Sequence, residues 1–294
     1  MHPIVDASDW PIAEPESAGG DEKYWLHGPD DQLWLYKPRT EHADWVQGED
    51  WAEKIGAATA SLLDVPAATV ELAVRDGRRG TISLSLRPPG WELQHGAVLL
   101  GRVLPGYLAK SRDRTGHTLA NIELALNGVG SPRGWSGPSE LSGFDVLAGY
   151  LVLDALIANQ DRHEENWAVL RPLPGEGSTV LTGSYDHASS LGFNLQDQKR
   201  TLLIERGLAP WAVKARAQRF ERATEGKLSL VELAHEALRR CSAAGKDHWH
   251  RALIRCHAAS WEGIVQQVPD MSDPAHRFVT ALLEINHGRL LDEF

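Results

Sequence analysis

Apolar residues along the chain change their period twice, and the changes mark out its elements. Residues 22–26 (EKYWL) and 32–37 (QLWLYK) are short runs of aromatic and aliphatic side chains. They flank Gly28-Pro29-Asp30-Asp31, a turn signal that predicts a β-hairpin. From Asp50 the spacing becomes helical, and apolar positions at that period carry a helix over 51–63. Two further apolar runs, 70–74 and 81–86, predict strands separated by the polar turn 75–80, and Pro88-Pro89-Gly90 then breaks the pattern. Beyond residue 117 the helical period returns over 117–126, 144–158, 208–223 and 229–294, with a loop rich in Gly, Pro and Ser at 128–143. These elements imply an α+β chain with a mobile lead over 1–16, a small lobe built on an antiparallel sheet over 17–90, and a mostly helical lobe over 91–294. No segment repeats.

Composition narrows the classes. At 294 residues the chain exceeds one domain of ~100–150 residues, which fits two lobes sharing a cleft. Hydrophobic residues at 42% and charged residues at 24% provide for a substantial core and exclude a disordered chain. A net charge of −10 gives no basic footprint for phosphate backbones, so direct nucleic-acid binding is not expected. Cys241 and Cys256 stand fifteen apart with no CxxC or Cys/His spacing around them, so zinc is not expected and a reduced, cytoplasmic protein is. The acidic start lacks the basic and apolar regions of a signal peptide. No uninterrupted apolar run approaches the ~18–20 residues of a membrane span; 141–158 comes nearest, and Asp145 and Asp154 interrupt it.

The chemistry is concentrated in LVLDALIANQDRHEENWAVL, residues 151–170, and in TGSYDHASSLGFN, whose Asp186 lies sixteen residues further on. An apolar run ends at Asn159, a polar loop presents Asp161 and Asn166 five residues apart, and an apolar strand leads through a turn to the second carboxylate. An aspartate can orient and deprotonate an attacking hydroxyl, while an amide oxygen and a carboxylate are hard ligands able to hold Mg²⁺ against nucleotide phosphates. Protein kinases keep the same Asp-to-Asn spacing for that division of labour. Upstream, Gly19 and Gly20 precede the first strand, where backbone N–H groups can cradle phosphate, with Lys23 just beyond. Lys37 ends the second strand and Glu53 opens the following helix, the pair that kinase nucleotide sites use to fix a lysine on the α/β-phosphates.

Other motifs fail. His163-Glu164-Glu165-Asn166-Trp167 starts like a zinc-protease HExxH but puts Trp where the second histidine is needed. No GxxxxGK[ST] phosphate loop and no GxSxG nucleophile turn occur. Lys199, Arg200, Arg206, Lys214, Arg216, Arg219 and Arg222 read as a solvated helix face, with a surface for an acidic partner as the alternative. The eleven tryptophans read as core and lobe packing.

DRHEEN closely resembles the catalytic loop of HipA-like kinases and, more distantly, the DRHxxN loop of phosphoinositide kinases. The order GG…EK…LYK…WAEKIGAATASLLDVP is similar to that family's amino lobe, and the resemblance spans about residues 15–260. It implies a two-lobed protein-kinase-like fold, with Asp161 as catalytic aspartate, Asn166 as a metal ligand, and Asp186 as the counterpart of the kinase DFG aspartate. Asp161 leads and His163 follows, the reverse of the HRD order, so either group can move the proton. The family implies ATP and Mg²⁺ as cofactors and transfer to a protein Ser/Thr hydroxyl. Many members are bacterial toxins held by a DNA-binding antitoxin and acting on translation proteins. Related kinases can phosphorylate a serine in the glycine loop, and Ser17, two residues before Gly19, is either such a site or an ordinary linker serine. A small-molecule kinase on the same fold and a non-catalytic nucleotide- or partner-binding module are the alternatives; retention of all four kinase groups disfavours the module.

Overall fold

The structure is a computed structural model and describes residues 2–15, 22–173, 177–222 and 226–292. The chain folds into two lobes in an α+β arrangement. The strands β1 (Ile4–Asp6), β2 (Ile12–Pro15), β3 (Tyr24–His27), β4 (Leu33–Pro38), β5 (Val70–Arg75) and β6 (Arg78–Leu84) form one sheet in the order β1-β5-β6-β4-β3-β2. The expected hairpin is β3–β4, pairing Tyr24 with Tyr36 and His27 with Leu33. Helix α1 (Glu49–Leu62) crosses from β4 to β5 and packs on β5 and β6. Successive residues of β5 alternate faces: Leu72 joins the main core with Ile55 of α1, while Ala73 joins Ala7, Leu26, Tyr36 and Ile82 on the other side.

Within the expected mobile lead, the described residues 4–6 and 12–15 form strands. β1 runs parallel to β5 with Ile4 opposite Leu72, β2 pairs with β3, and Ala7 is fully buried. Arg75 fixes the crossing between them by donating from Nη1 to the carbonyls of Ala7 and Trp10 at 2.5 and 2.9 Å. A three-residue strand whose partner lies 68 residues away leaves no local period to read.

The part of the chain beyond β6 forms a second sheet, in which β7 (Trp91–His95) pairs with β8 (Ala168–Pro172) and through it with β9 (Val180–Leu181). Its helices are α2 (Gly96–Val103), α3 (Leu119–Ala125), α4 (Gly143–Ile157), α5 (Asp197–Glu205), α6 (Ala209–Ala212), α7 (Leu230–Arg240), α8 (Ala243–Arg255), α9 (Ala258–Gln266) and α10 (Asp273–Leu291). All of α4 is buried, which its apolar run requires. Its start is fixed by a capping box in which Ser142 and Asp145 exchange side-chain to backbone hydrogen bonds. Of the helix expected over 208–223, Ala209–Ala212 is the part that forms among the described residues. Further on, the backbone finds partners outside a helix: Arg216 N–H donates to Gln160 Oε1 and Ala217 N–H to Leu228 O. The loop at 128–143 is pinned through Gly130, which bridges both Ser142 and Val180. Among the described residues no helix is long and apolar enough to cross a membrane.

Candidate active site

The loop after α4 is shaped by its own short-range hydrogen bonds. Ala158 adopts a left-handed conformation (φ 54°) that ends the helix, and Asn159 turns back, donating from Nδ2 to Asp154 Oδ1 at 2.7 Å. Asn159 Oδ1 then accepts from the Asp161 backbone N–H at 3.0 Å. Asn166 closes the loop by donating from Nδ2 to the Asp161 carbonyl at 2.9 Å. With its amide nitrogen committed, buried Asn166 is left with its oxygen as the end that can meet a ligand.

Arg162 braces this loop from inside. It is buried and forms a bidentate pair with Asp154 of α4, at 2.7 Å from Nε and 2.8 Å from Nη2. The same guanidinium donates to Asn166 O at 2.6 Å, Tyr185 O at 3.2 Å and Ser184 Oγ at 2.9 Å. One arginine therefore holds the end of α4, the polar loop and the segment leading to Asp186 in a single register.

Asp186 follows Tyr185 with a left-handed backbone (φ 62°), and its Oδ1 meets Lys37 Nζ of β4 at 2.7 Å. Burial raises the Asp186 carboxyl pKa, but the Lys37 ammonium, and after it Lys23, outweigh burial and hold it well below the usual carboxylate range. Asp161 Oδ1 accepts from Arg219 Nε at 2.5 Å. His163 Nδ1 accepts from the Glu165 N–H at 3.1 Å; burial lowers its pKa, against the carboxylates of Asp161, Asp186, Glu165 and Glu164. Glu53 is buried, with Oε1 3.5 Å from His187 Nδ1, and His187 Nε2 is 2.8 Å from Ser184 Oγ. That contact ties α1 to the Arg162 cluster, and Gly56 one turn on makes room for it, since a Cβ there would lie 2.7 Å from the His187 Cβ.

A cavity of about 980 Å³ between the sheet and the polar loop is lined by Lys23, Lys37, Glu53, Asp161, His163, Asn166 and Asp186, which stand together. Its apolar wall includes Trp25, Leu35, Ala68, Leu84 and Leu93. Gly19, Gly20 and Ser17 lie outside the described residues. The supporting groups Asp154, Arg162, Ser184 and His187 and the Asp161 partner Arg219 were not singled out for the site from the sequence. Asp154 carried a signal: a carboxylate inside an apolar helix needs a buried partner, and the arginine eight residues on supplies it.

No protein-family model matches the chain, and no curated protein matches it in sequence. Solved structures do match. A proinflammatory kinase of Helicobacter pylori, CtkA, superposes with a TM-score of 0.74 at 15% identity, over 99% of this chain and 99% of that one. The HipA toxin of Shewanella oneidensis, solved with HipB and operator DNA, superposes at 0.54 and 13% identity over 97% of this chain and 68% of that one. The fold is thus that of a two-lobed kinase. More particularly, it is the fold shared by CtkA and HipA, as the DRHEEN resemblance implied.

Proposed function

We propose that this chain is an ATP- and Mg²⁺-dependent kinase that transfers the γ-phosphoryl group to a serine or threonine hydroxyl of a protein. The observation that carries the reading is the convergence of Lys37, Asp161, Asn166 and Asp186, drawn from β4, the loop after α4 and the turn beyond β9, on one cavity. Asp186 and Asn166 offer a carboxylate and an oriented amide oxygen, a donor set suited to Mg²⁺ that also binds phosphates. When bound, Mg·ATP supplies the phosphoryl group and neutralises its charge. Lys37, already charged and close to Asp186, takes the α/β-phosphates; Gly19, Gly20 and Lys23 are placed in the proposal on the phosphate side, with Glu53 behind Lys37. Asp161 orients the acceptor hydroxyl and takes its proton, or passes it to His163, whose Nδ1 would give up the Glu165 N–H to receive it. About a quarter of the Asp161 side chain is exposed, which suits an acceptor presented by a macromolecule. We place the junction of the lobes near residue 90 and the protein in the reducing cytoplasm, its two cysteines being buried free thiols. A restraining protein partner, as HipB is present with HipA, belongs to the same proposal.

Transfer of radiolabelled γ-phosphate to protein acceptors tests the reading. Asp161→Asn is expected to lower turnover by roughly 10²–10⁴-fold while nucleotide affinity stays within a few-fold, because Asp161 touches the acceptor and not the nucleotide. Undiminished transfer by folded Asp161→Asn removes this residue from the reaction.

A further inference from the structure

Three segments meet around Asp161. The loop 110–117 and the irregular stretch 216–222 are zipped together: Glu221 N–H donates to His117 O at 3.0 Å, and Gly116 N–H to the Glu221 carboxylate at 2.6 Å. His117 Nδ1 lies 2.6 Å from Arg219 O, and its ring stacks on Phe220 at 4.5 Å. Both segments grip the catalytic loop, through Lys110 to Glu165 at 2.6 Å, Arg114 to Glu164 at 3.8 Å, Arg216 N–H to Gln160, and Arg219 to Asp161. The result is a platform beside the candidate catalytic carboxylate.

In a chain of net charge −10, this platform gathers Lys110, Arg114, Arg219, Arg222 and Lys227. Of its carboxylates Glu164 is buried and accepts from Lys110 N–H at 2.5 Å, while Glu221 accepts from Gly116 N–H and, like Asp113, is exposed. Lys227 bonds two backbone carbonyls, Gln218 O at 2.5 Å and Phe220 O at 3.1 Å. Its pKa is lowered first by burial and then by Arg114, Arg219 and Arg222, against Asp113, so the local field is positive. Arg219 spends Nε on Asp161 with over a third of its side chain exposed, so an acceptor hydroxyl at Asp161 brings its neighbours alongside that guanidinium.

We infer that this platform is the docking surface for the acceptor, and that it takes a polypeptide segment carrying carboxylate side chains next to the Ser/Thr hydroxyl. The inference rests on the kinase reading and adds the substrate class to it. A bidentate Arg219–carboxylate contact gives such a segment a fixed distance from Asp161. Leu108, Val213 and Leu228, which flank these segments in the chain, are exposed, whereas no exposed large apolar side chain among the described residues is aromatic. Apolar contacts among cations without stacking rings suit a peptide rather than a single-stranded nucleic acid.

The test uses the intact protein without nucleotide and reads fluorescence anisotropy. Three probes are titrated: a peptide with one serine among glutamates, the same peptide with lysines, and a single-stranded RNA of matched length. The acidic peptide is expected to bind at least about tenfold more tightly than either other probe. Lys227→Glu and Arg222→Glu are each expected to weaken it about fivefold or more without weakening the lysine peptide. Arg222 is exposed, so that variant folds even if Lys227→Glu disturbs its two carbonyl contacts. Equal or tighter binding of the lysine peptide or of RNA, or unchanged acidic-peptide affinity in both variants, overturns the inference. Phosphate transfer with Mg·ATP is then measured separately. An acidic peptide that binds but receives no phosphate sinks the kinase reading and leaves the docking surface standing, whereas transfer preferring the lysine peptide does the reverse. Arg219→Ala should raise KM for the acidic peptide and not for ATP; the opposite split removes Arg219 from acceptor recognition.

Discussion

His117 shows how one buried side chain ties acidity to the cleft. Trp167 Nε1–H donates to its Nε2 at 3.2 Å, and its Nδ1 faces Arg219 O at 2.6 Å, so both contacts are met by the neutral ring protonated on Nδ1. A second proton would displace the Trp167 donor. Burial pushes the pKa down from 6.5 to about 4; the Arg219 carbonyl and Glu164 act the other way, while His163 and Arg114 add to the lowering. Between those values the unfolded chain binds a proton that the folded chain refuses, so the stability from this site is full above pH 6.5 and falls as pH drops towards 4. The loss is at most about 3 kcal/mol. Urea unfolding across that window is expected to show a steeper decline in the parent than in His117→Gln; parallel declines would contradict the role. Because His117 carries the Arg219 carbonyl and Phe220, loosening it also loosens the guanidinium on Asp161.

At the scale of elements, α4 is an apolar rod with one ionic end. Asp154 is buried at a side-chain exposure of 1% and serves Arg162 and Asn159 together, so the helix hands its position to the loop through charge as well as packing. Asp154→Ala strands a buried guanidinium and is expected to cost about 3–5 kcal/mol, whereas removing both partners in Asp154→Ala/Arg162→Met should cost much less than the two single changes added. Chemical denaturation of the four forms measures the coupling, and additive losses would remove the pair from the frame of the site. The rod, the β3–β4 hairpin, α1, and the loop carrying Asp161 and Asn166 were legible in the sequence, because each is written in a local period or turn. The short β1, the strand β7 and helix α2 were not: β1 and β7 pair with strands distant in the chain, and the first N–H groups of α2 donate to Trp167 O and Glu164 O. The stretch after Ala212 has apolar residues at helical intervals but spends its backbone groups on Gln160 and Leu228, tertiary partners that override the period. For the same reason the polar residues of the candidate site could be named while Arg162, His187 and Arg219, which set their geometry, could not.

For the whole molecule the decisive link is the one between lobes. The Lys37–Asp186 pair joins β4 of the sheet to the turn beyond β9, and it holds together the two groups that the proposed reaction needs apart, one on phosphate and one on metal. Loading the cleft therefore exchanges that pair for two new contacts, while other bridges between the lobes remain, such as Arg79 to Asp270 at 2.8 Å and Ala68 N–H to Ser184 O at 2.8 Å. A ligand that binds only the folded form stabilises it by about 2.7 kcal/mol at a hundredfold excess over Kd. ATP alone should raise the melting temperature modestly through Lys37, and Mg²⁺ should add a second increment through Asp186 and Asn166. Lys37→Met is expected to lose most of the first increment. Asp186→Asn is expected to keep it, and to lose the second, because the carboxylate charge on the metal is gone while the lysine is freed for phosphate. Thermal shift assays with ATP, with and without Mg²⁺, separate the two steps. An Mg²⁺ increment in Asp186→Asn equal to that of the parent would place the metal elsewhere, and would leave the Lys37–Asp186 pair as a structural tie between the lobes with no part in loading the cleft.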